Sequence, residues 1–107
     1  MPDAADMLFR TLADPTRRAI FERLCREGEH TVGALTAGAG VSQPAVSKHL
    51  AVLKQAGLVR DRPDGRQTHY TAQLGALAPL LDWTQEMAGF WEDRFDDLES
   101  LLRRMDQ

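Results

Sequence analysis

Four polar side chains share one face of a helix that the sequence predicts over residues 42–56: Gln43, Ser47, Lys48 and Lys54. Such side chains make poor core residues, but they can hydrogen-bond to phosphate oxygens and to the edges of bases. A polar and basic face of this kind suits a helix that lies in a DNA groove. The sequence therefore predicts a nucleic-acid contact surface in this stretch.

Apolar residues on the other face of the same stretch indicate how the helix is held. Val46, Leu50 and Leu53 recur at the i, i+4, i+7 spacing of a helix, so one stripe faces a core. Ser42 is placed to cap the helix, and Pro44 is tolerated in its first turns because early helical N–H groups lack an intrahelical partner. The polar face is thereby directed toward solvent.

Residues 31–39 predict a second short helix immediately upstream. Thr31 is its expected cap, and Gly40 is placed to end it in a left-handed conformation. We expect the packing of Val32 and Leu35 to hold this helix, because its own glycines weaken it. A helix, a glycine turn and a second helix with a polar outer face form the helix-turn-helix pattern.

Residues 58–72 predict a β-hairpin, or wing, after the second helix of this pattern. Two short strands flank a turn at residues 63–66 that contains an Asp-Gly pair. Arg62 and Arg66 lie near the tip, where guanidinium groups can bond phosphates or enter a minor groove. The complete set of predicted DNA contacts is Thr31, Ser42, Gln43, Pro44, Ser47, Lys48, His49, Lys54, Arg62 and Arg66.

Two further helices are predicted before this region. The first covers residues 4–12, and its expected inward residues are Ala5, Leu8, Phe9 and Leu12. The second runs from Thr16 to Glu27, because Asp14-Pro15 favours a helix start and Gly28 a helix end. Its expected inward residues are Ile20, Leu24 and Cys25.

The last third of the chain predicts one long helix, from Ala76 or Pro79 to Arg104. Its apolar residues recur every seven positions, as in helices that pack side by side. The rest of the domain is too small to bury all of these apolar residues. The sequence therefore predicts a homodimer in which this helix and the first one pack against their symmetry mates. The predicted interface residues are Leu8, Leu81, Trp83, Met87, Phe90, Trp91, Phe95, Leu98 and Leu102.

Length and charge agree with one small DNA-binding domain. The 107 residues suit a single domain, in which residues 1–14 and 74–107 would dimerise, 31–57 form the helix-turn-helix and 58–72 the wing. Although the net charge is −3, residues 42–72 hold five basic and two acidic side chains, and residues 73–107 hold three and eight. Because the neutralisation of phosphates is local, the net charge of +3 on residues 42–72 matters more for DNA binding than the net charge of the whole chain.

Other classes of protein are disfavoured by the residues. No apolar run reaches eighteen residues, so we expect no membrane span and a cytoplasmic location. The single cysteine, Cys25, excludes an internal disulfide, and the three histidines fall in different predicted elements, so we expect no metal site and no cofactor. No nucleophile is paired with a base, and no phosphate-binding glycine loop occurs, so an enzyme is not expected.

Some alternatives stay open on the residues alone. The chain could be a redox or metal sensor that switches through Cys25 and histidines, or a winged helix used only to bind another protein. His49 could bond a phosphate or serve local packing, and Arg17 could contact DNA or an acidic neighbour. The effector is not identified by any of these patterns.

Three segments, in this order and spacing, resemble the ArsR (arsenical-resistance) family of winged-helix bacterial repressors. They are residues 9–18 (FRTLADPTRR), 41–50 (VSQPAVSKHL) and 56–59 (AGLV). The resemblance implies a mainly α-helical fold with a small β-hairpin, namely a winged helix-turn-helix. Its elements in chain order would be four helices, the two strands of the hairpin and a fifth helix. It also implies a dimeric DNA-binding repressor.

The same resemblance bears on the signal that such a repressor senses. Metal-sensing members of the family use cysteines in the third helix or Asp and His ligands on the last helix. This chain has no Cys in residues 31–39 and no His in residues 73–107. Its aromatic cluster around Phe90-Trp91 is more similar to the metal-independent branch.

Overall fold

The computed structural model describes residues 3–106 and shows a mainly helical chain with one small antiparallel sheet. The helices are α1 (Ala4–Ala13), α2 (Pro15–Glu27), α3 (Val32–Thr36), α4 (Gln43–Gln55) and α5 (Ala78–Met105). The strands are β1 (His30–Thr31), β2 (Val59–Asp64) and β3 (Gln67–Ala72), and a 3₁₀ turn, Leu74–Leu77, precedes α5. This is the winged helix-turn-helix fold that the sequence predicts.

Helix boundaries follow the capping signals of the sequence. The Asp14 carboxylate accepts the Arg17 N–H at 2.9 Å at the start of α2, and Gly28 ends that helix with a φ of 85°. The Ser42 hydroxyl accepts the Ala45 N–H at 3.3 Å at the start of α4. These contacts satisfy N–H groups that a helix leaves unpaired in its first turn.

The third helix is shorter than predicted. It ends at Thr36 rather than at residue 39, although Thr31 caps it as expected. Gly38 and Gly40 both adopt left-handed backbone angles, with φ of 86° and 73°. The connection to α4 therefore contains two glycine turns, and the prediction that Gly40 directly caps the helix is wrong.

The sheet differs from the prediction in two details. The hairpin loop has only two residues, Gly65 and Arg66, so Pro63 and Asp64 belong to β2 rather than to the turn. Gly65 has a φ of 61°, the conformation that a two-residue hairpin requires at its first position. Strand β1, which no local pattern indicated, pairs with β3, so the strand order is β1-β3-β2.

Ten buried apolar side chains form one core beneath the helix-turn-helix. They are Leu8, Ile20, Phe21, Leu24, Leu35, Val46, Leu50, Leu53, Leu58 and Val59. The predicted stripe of α4 is confirmed, because each of its three residues is 0% exposed. Val32 is partly buried against the same core, as expected, and so is Tyr70.

Two residues in the first two helices lie elsewhere than predicted, and a third, Leu8, is buried as predicted but was also assigned to the dimer interface. Cys25 was predicted to face inward but is exposed, and Phe21 is buried in its place. Phe9 remains 42% exposed and packs edge-on against Trp83, with ring centroids 5.1 Å apart. Leu8 lies in the core at 3% exposure, so it has almost no surface to offer a partner and its assignment to a dimer interface is corrected.

Helix α5 projects from this head. Its 28 residues span about 42 Å at 1.5 Å per residue. The radius of gyration is 19.7 Å, whereas a compact domain of this length would have about 13 Å. Among residues 3–106, none of the helices combines the length and apolar content that a bilayer crossing requires.

Candidate nucleic-acid interface

The first turns of α4 present polar side chains because the opposite face is committed to the core. Gln43, Ser47 and Lys48 are exposed, whereas Val46 and Leu50 of the same turns are fully buried. Rotating the helix to bury the polar side chains would expose that apolar pair, so the hydrophobic core fixes which side chains face outward. The reading face is therefore set by packing.

A cleft of about 310 Å³ lies between the first turns of α3 and α4 and the tip of the wing. Its lining residues are Thr31, Val32, Gly33, Gln43, Ser47, Arg66, Gln67 and Thr68. No carboxylate lines it, and it combines amide, hydroxyl and guanidinium groups. Such groups can donate to phosphate oxygens and pair with base edges, so this cleft, which we call the reading cleft, suits nucleic acid.

The structure brings together four of the predicted contacts in this cleft, and it adds two more. Gln43, Ser47, Arg66 and Thr31 line it, although the Thr31 hydroxyl already accepts the Ala34 N–H at 3.1 Å. Gln67 and Thr68 were not predicted. Both lie on β3, directly after the hairpin loop. Predicting that they face the cleft would have required the exact pairing register of β2 and β3, which the sequence alone does not give.

Two basic side chains lie at or beside the reading cleft: Arg66 lines it, and Lys48 follows Ser47 on α4. Both side chains are exposed, and within residues 3–106 neither forms an ion pair with a carboxylate. Their charges are therefore free to meet phosphates without first releasing a protein partner.

Lys54 lies at the other end of α4. It is eleven residues from Gln43, or about 17 Å along the helix axis. Its ammonium group contacts the Asp61 carboxylate of β2 at 2.9 Å. This hydrogen bond raises the pKa of Lys54 and lowers that of Asp61. The structure thus does not bring Lys54 into the reading cleft.

Arg62 is also paired, through a carboxylate that the sequence analysis did not identify. Its guanidinium donates to Glu29 at 2.8 Å, and Asp64 lies 4.0 Å away. Glu29 also accepts from the Thr71 hydroxyl at 3.3 Å and lies 3.5 Å from the His69 ring. The hydrogen bond from Arg62 is the main reason that the pKa of Glu29 is lowered. We call this group the Glu29 cluster.

His49 and Arg17 both lie near the start of α2. His49 is half-buried, and its charge contributes to lowering the pKa of Asp14, after the larger effect of the Arg17 backbone N–H. The Arg17 side chain donates to the Thr11 carbonyl at 3.2 Å rather than to an acidic neighbour. The hydrogen bond to Thr11 therefore fixes the Arg17 side chain against the end of α1.

The exposed surface of α5 is rich in large apolar side chains. Eight of them are at least 49% exposed: Leu81, Phe90, Trp91, Phe95, Leu98, Leu101, Leu102 and Met105. Six of the nine residues predicted for a dimer interface belong to this set. Trp83 and Met87 lie on the same helix, and Trp83 contacts Phe9 of α1. Residues 1, 2 and 107 of the predicted dimerisation segments lie outside the described residues.

The sensor alternative finds limited geometric support. Within residues 3–106, no group of three or more His, Cys, Asp or Glu side chains is arranged to hold a metal ion. The Cys25 thiol is exposed, but partial burial and the Glu22 carboxylate raise its pKa. A raised pKa lowers the fraction of the reactive thiolate, which is the form that redox chemistry uses.

Comparisons with known proteins agree with the geometry. A helix-turn-helix domain family matches residues 12–62. The HTH-type transcriptional regulator Rv2034 of Mycobacterium tuberculosis is 48% identical over 90 residues, which cover 79% of this chain and 83% of that protein. The transcriptional repressor SdpR of Bacillus subtilis is 33% identical over 76 residues, which cover 71% and 83%. The crystal structure of an ArsR family transcriptional regulator superposes with a TM-score of 0.77 at 32% identity, covering 86% of this chain and 94% of that one.

Proposed function

Because this chain belongs to the ArsR family of DNA-binding transcriptional regulators, we propose that it represses transcription as a homodimer on an operator of two inverted half-sites. In this proposal the first turns of α4 enter the major groove. Gln43 and Ser47 read base edges, while Lys48 and Arg66 neutralise phosphates. Bound protein would block access to the promoter.

The observation that carries this proposal is the reading cleft. It joins the Gln43 and Ser47 side chains to the Arg66 guanidinium, which pairs with no carboxylate among residues 3–106, at one end of a helix whose other face is buried. Lys48 is exposed next to Ser47 on the same helix. Gln and Ser side chains can both donate and accept hydrogen bonds, as base edges require. Gln67 and Thr68 extend the same polar surface along the wing.

The apolar face of α5 supports the homodimer. Soluble monomers rarely expose so many large apolar side chains on one element, and such patches mark protein interfaces. Association of two α5 helices would cover the face and place two reading clefts on one duplex. Twofold symmetry then requires an inverted-repeat operator, with half-sites about 10 base pairs or a multiple apart.

Selection from a random duplex library tests the operator. We expect the selected sequences to contain an inverted repeat, and fluorescence anisotropy should show tighter binding to it than to a scrambled duplex. Gln43→Ala should reduce that preference by roughly tenfold or more, because a bidentate base contact discriminates by about 1–3 kcal/mol. Gln85→Ala, a change at an exposed glutamine on α5, is the matched control. Selection of no common sequence would contradict the proposal.

Sedimentation velocity tests the dimer separately. Phe95→Glu places a charge in the apolar face of α5 and should shift the protein toward monomer, with loss of cooperative operator binding. Arg26→Glu places the same charge on the exposed surface of α2 and should leave association unchanged. A wild-type protein that sediments as a monomer at micromolar concentration would refute the dimer.

A further inference from the structure

A second cleft lies on the head, away from the reading cleft. It has a volume of about 300 Å³ and lies between α1, the start of α2 and the last turns of α4. Its lining residues are Met7, Arg10, Thr11, Arg17, Val52, Gln55 and Ala56. This volume falls at the lower end of the range in which proteins bind small molecules.

Both charged residues that line this cleft are positive, and the Asp14 carboxylate, whose pKa is lowered by the Arg17 backbone N–H and in part by the Arg17 charge, lies outside the lining. Arg10 and Arg17 line it, no carboxylate does, and within residues 3–106 neither arginine forms an ion pair. The neighbouring arginines of α2 behave differently: Arg18, Arg23 and Arg26 each lie within 4.0 Å of Glu22 or Glu27. Among the four arginines of α2, Arg17 is therefore the one that lacks a carboxylate within 4.0 Å among residues 3–106.

The Arg17 guanidinium is held in place but only partly satisfied. One Nη donates to the Thr11 carbonyl at 3.2 Å, while Nε has no partner among residues 3–106. Because Nε is shielded from solvent, it can meet a ligand only if the guanidinium turns toward the cleft. Buried donors in native proteins are nearly always paired. A carboxylate in this cleft would offer two acceptor oxygens to a guanidinium fork, which is the geometry that arginine prefers.

The remaining wall is apolar. Met7 and Val52 face the cleft from α1 and α4, with Ala56 beside them, and Gln55 adds one amide. An apolar wall with a few convergent polar groups is typical of a small-molecule site. An inorganic anion would leave this wall in contact with water, whereas an organic acid would cover it.

We propose that this cleft binds a small organic carboxylate with an apolar body, held by Arg10 and Arg17. The site is independent of the reading cleft, but it shares the helix α4 with it. If the proposed operator binding holds, a ligand that contacts Val52 and Gln55 can change DNA affinity by favouring one position of α4 relative to α1.

Isothermal titration calorimetry on the full chain without DNA tests the site directly. The probes are benzoate and octanoate, each compared with its neutral amide. We expect at least one carboxylate to bind with a Kd of about 1 mM or tighter, and its amide at least about tenfold more weakly, because the charge-assisted pair is lost. Absence of binding by both acids, or equal binding of acid and amide, would overturn the proposal.

Arg10→Gln separates this site from a general attraction of acids to the protein. Arg10 is exposed, so the variant should fold, and it should weaken carboxylate binding by about tenfold. Arg104→Gln removes an exposed arginine on α5 and should leave binding unchanged. Equal effects of the two variants would overturn the assignment.

Binding to a duplex distinguishes this proposal from a DNA-backbone contact. If no carboxylate binds, and Arg10→Gln instead lowers DNA affinity and the salt dependence of binding, the cleft contacts phosphates and the ligand proposal fails. If the protein binds no DNA at all, the proposed function fails, but the calorimetric result on the cleft still stands.

Discussion

The basic side chains of α4 and the wing fall into two groups. Those near the reading cleft are not neutralised by a carboxylate among residues 3–106, whereas those farther from it are. Lys48 and Arg66 lie at the first turns of α4 and the tip of the wing, and neither is paired within residues 3–106. Lys54 and Arg62 lie at the last turn of α4 and the flank of the wing, and each contacts a carboxylate at 2.8–2.9 Å.

In the proposed complex, this difference decides which cations are available to DNA. A phosphate gains the full attraction of an unpaired cation, whereas a paired cation must first leave its carboxylate, which then faces the DNA as a negative charge. Residue type and position in a motif therefore do not identify a DNA contact by themselves. The surrounding charges must be known as well.

The largest expected difference is between Lys48→Gln and Lys54→Gln. Loss of two phosphate contacts, one per protomer, should weaken operator binding roughly 60-fold at 0.1 M salt and lower the salt slope by about 1.8, since each contact contributes about 0.9. The change at Lys54 should have a much smaller effect. Anisotropy titrations at several salt concentrations measure both, and equal slopes for the two variants would contradict the comparison.

A smaller difference is expected on the wing. Arg66→Gln should weaken binding to all duplexes by up to roughly 60-fold, by the same arithmetic as for Lys48, because it removes from the hairpin loop of each protomer a charge that no carboxylate among residues 3–106 neutralises. Arg62→Gln should change affinity less, since its charge is already matched by Glu29. A larger loss for Arg62 than for Arg66 would show that Arg62 exchanges Glu29 for a phosphate on binding.

Removing the Glu29 carboxylate should make Arg62 behave more like the unneutralised Arg66. Glu29→Gln frees the Arg62 guanidinium, so operator binding should tighten by up to about fivefold, a small effect because exposed ion pairs are weak. Glu99→Gln breaks a comparable pair with Arg103 on α5 and serves as the control. Weaker binding by Glu29→Gln would indicate instead that the Glu29 cluster holds the wing in its binding position.

The smallest expected effect concerns pH. The pKa of Glu29 lies below its ordinary value of 4.5, chiefly because of the hydrogen bond from Arg62. A carboxyl with a lowered pKa in the folded state stabilises the protein above its unfolded value, and this stability is lost as pH falls through the folded value. Thermal unfolding between pH 7 and pH 3 should therefore show a slightly steeper loss of Tm below about pH 4.5 in the wild type than in Glu29→Gln.

Local signals predicted most of the head correctly. The caps at Asp14 and Ser42 and the stripe of Val46, Leu50 and Leu53 depend on neighbours within two helical turns, so the sequence shows them directly. The stripe also fixes the outward direction of Gln43 and Ser47.

Features that depend on distant residues were not predictable in this way. Strand β1 exists only because β3, nearly forty residues later, pairs with it. Glu29 and Arg62 are 33 residues apart in sequence, and their contact follows from the register of the hairpin. The inward position of Phe21 rather than Cys25 depends on how α2 rotates against the rest of the core.

Pro63 on strand β2 affects how this small sheet meets other chains. Asp64 and Gln67 flank the two-residue loop, so Pro63 and Thr68 form the next pair, in which backbone N–H groups point away from the partner strand. Proline has no N–H, so it removes an outward donor from an unprotected sheet edge without weakening the hairpin. A foreign β-strand would lack that hydrogen bond at the wing, which helps to keep concentrated protein from aggregating edge to edge.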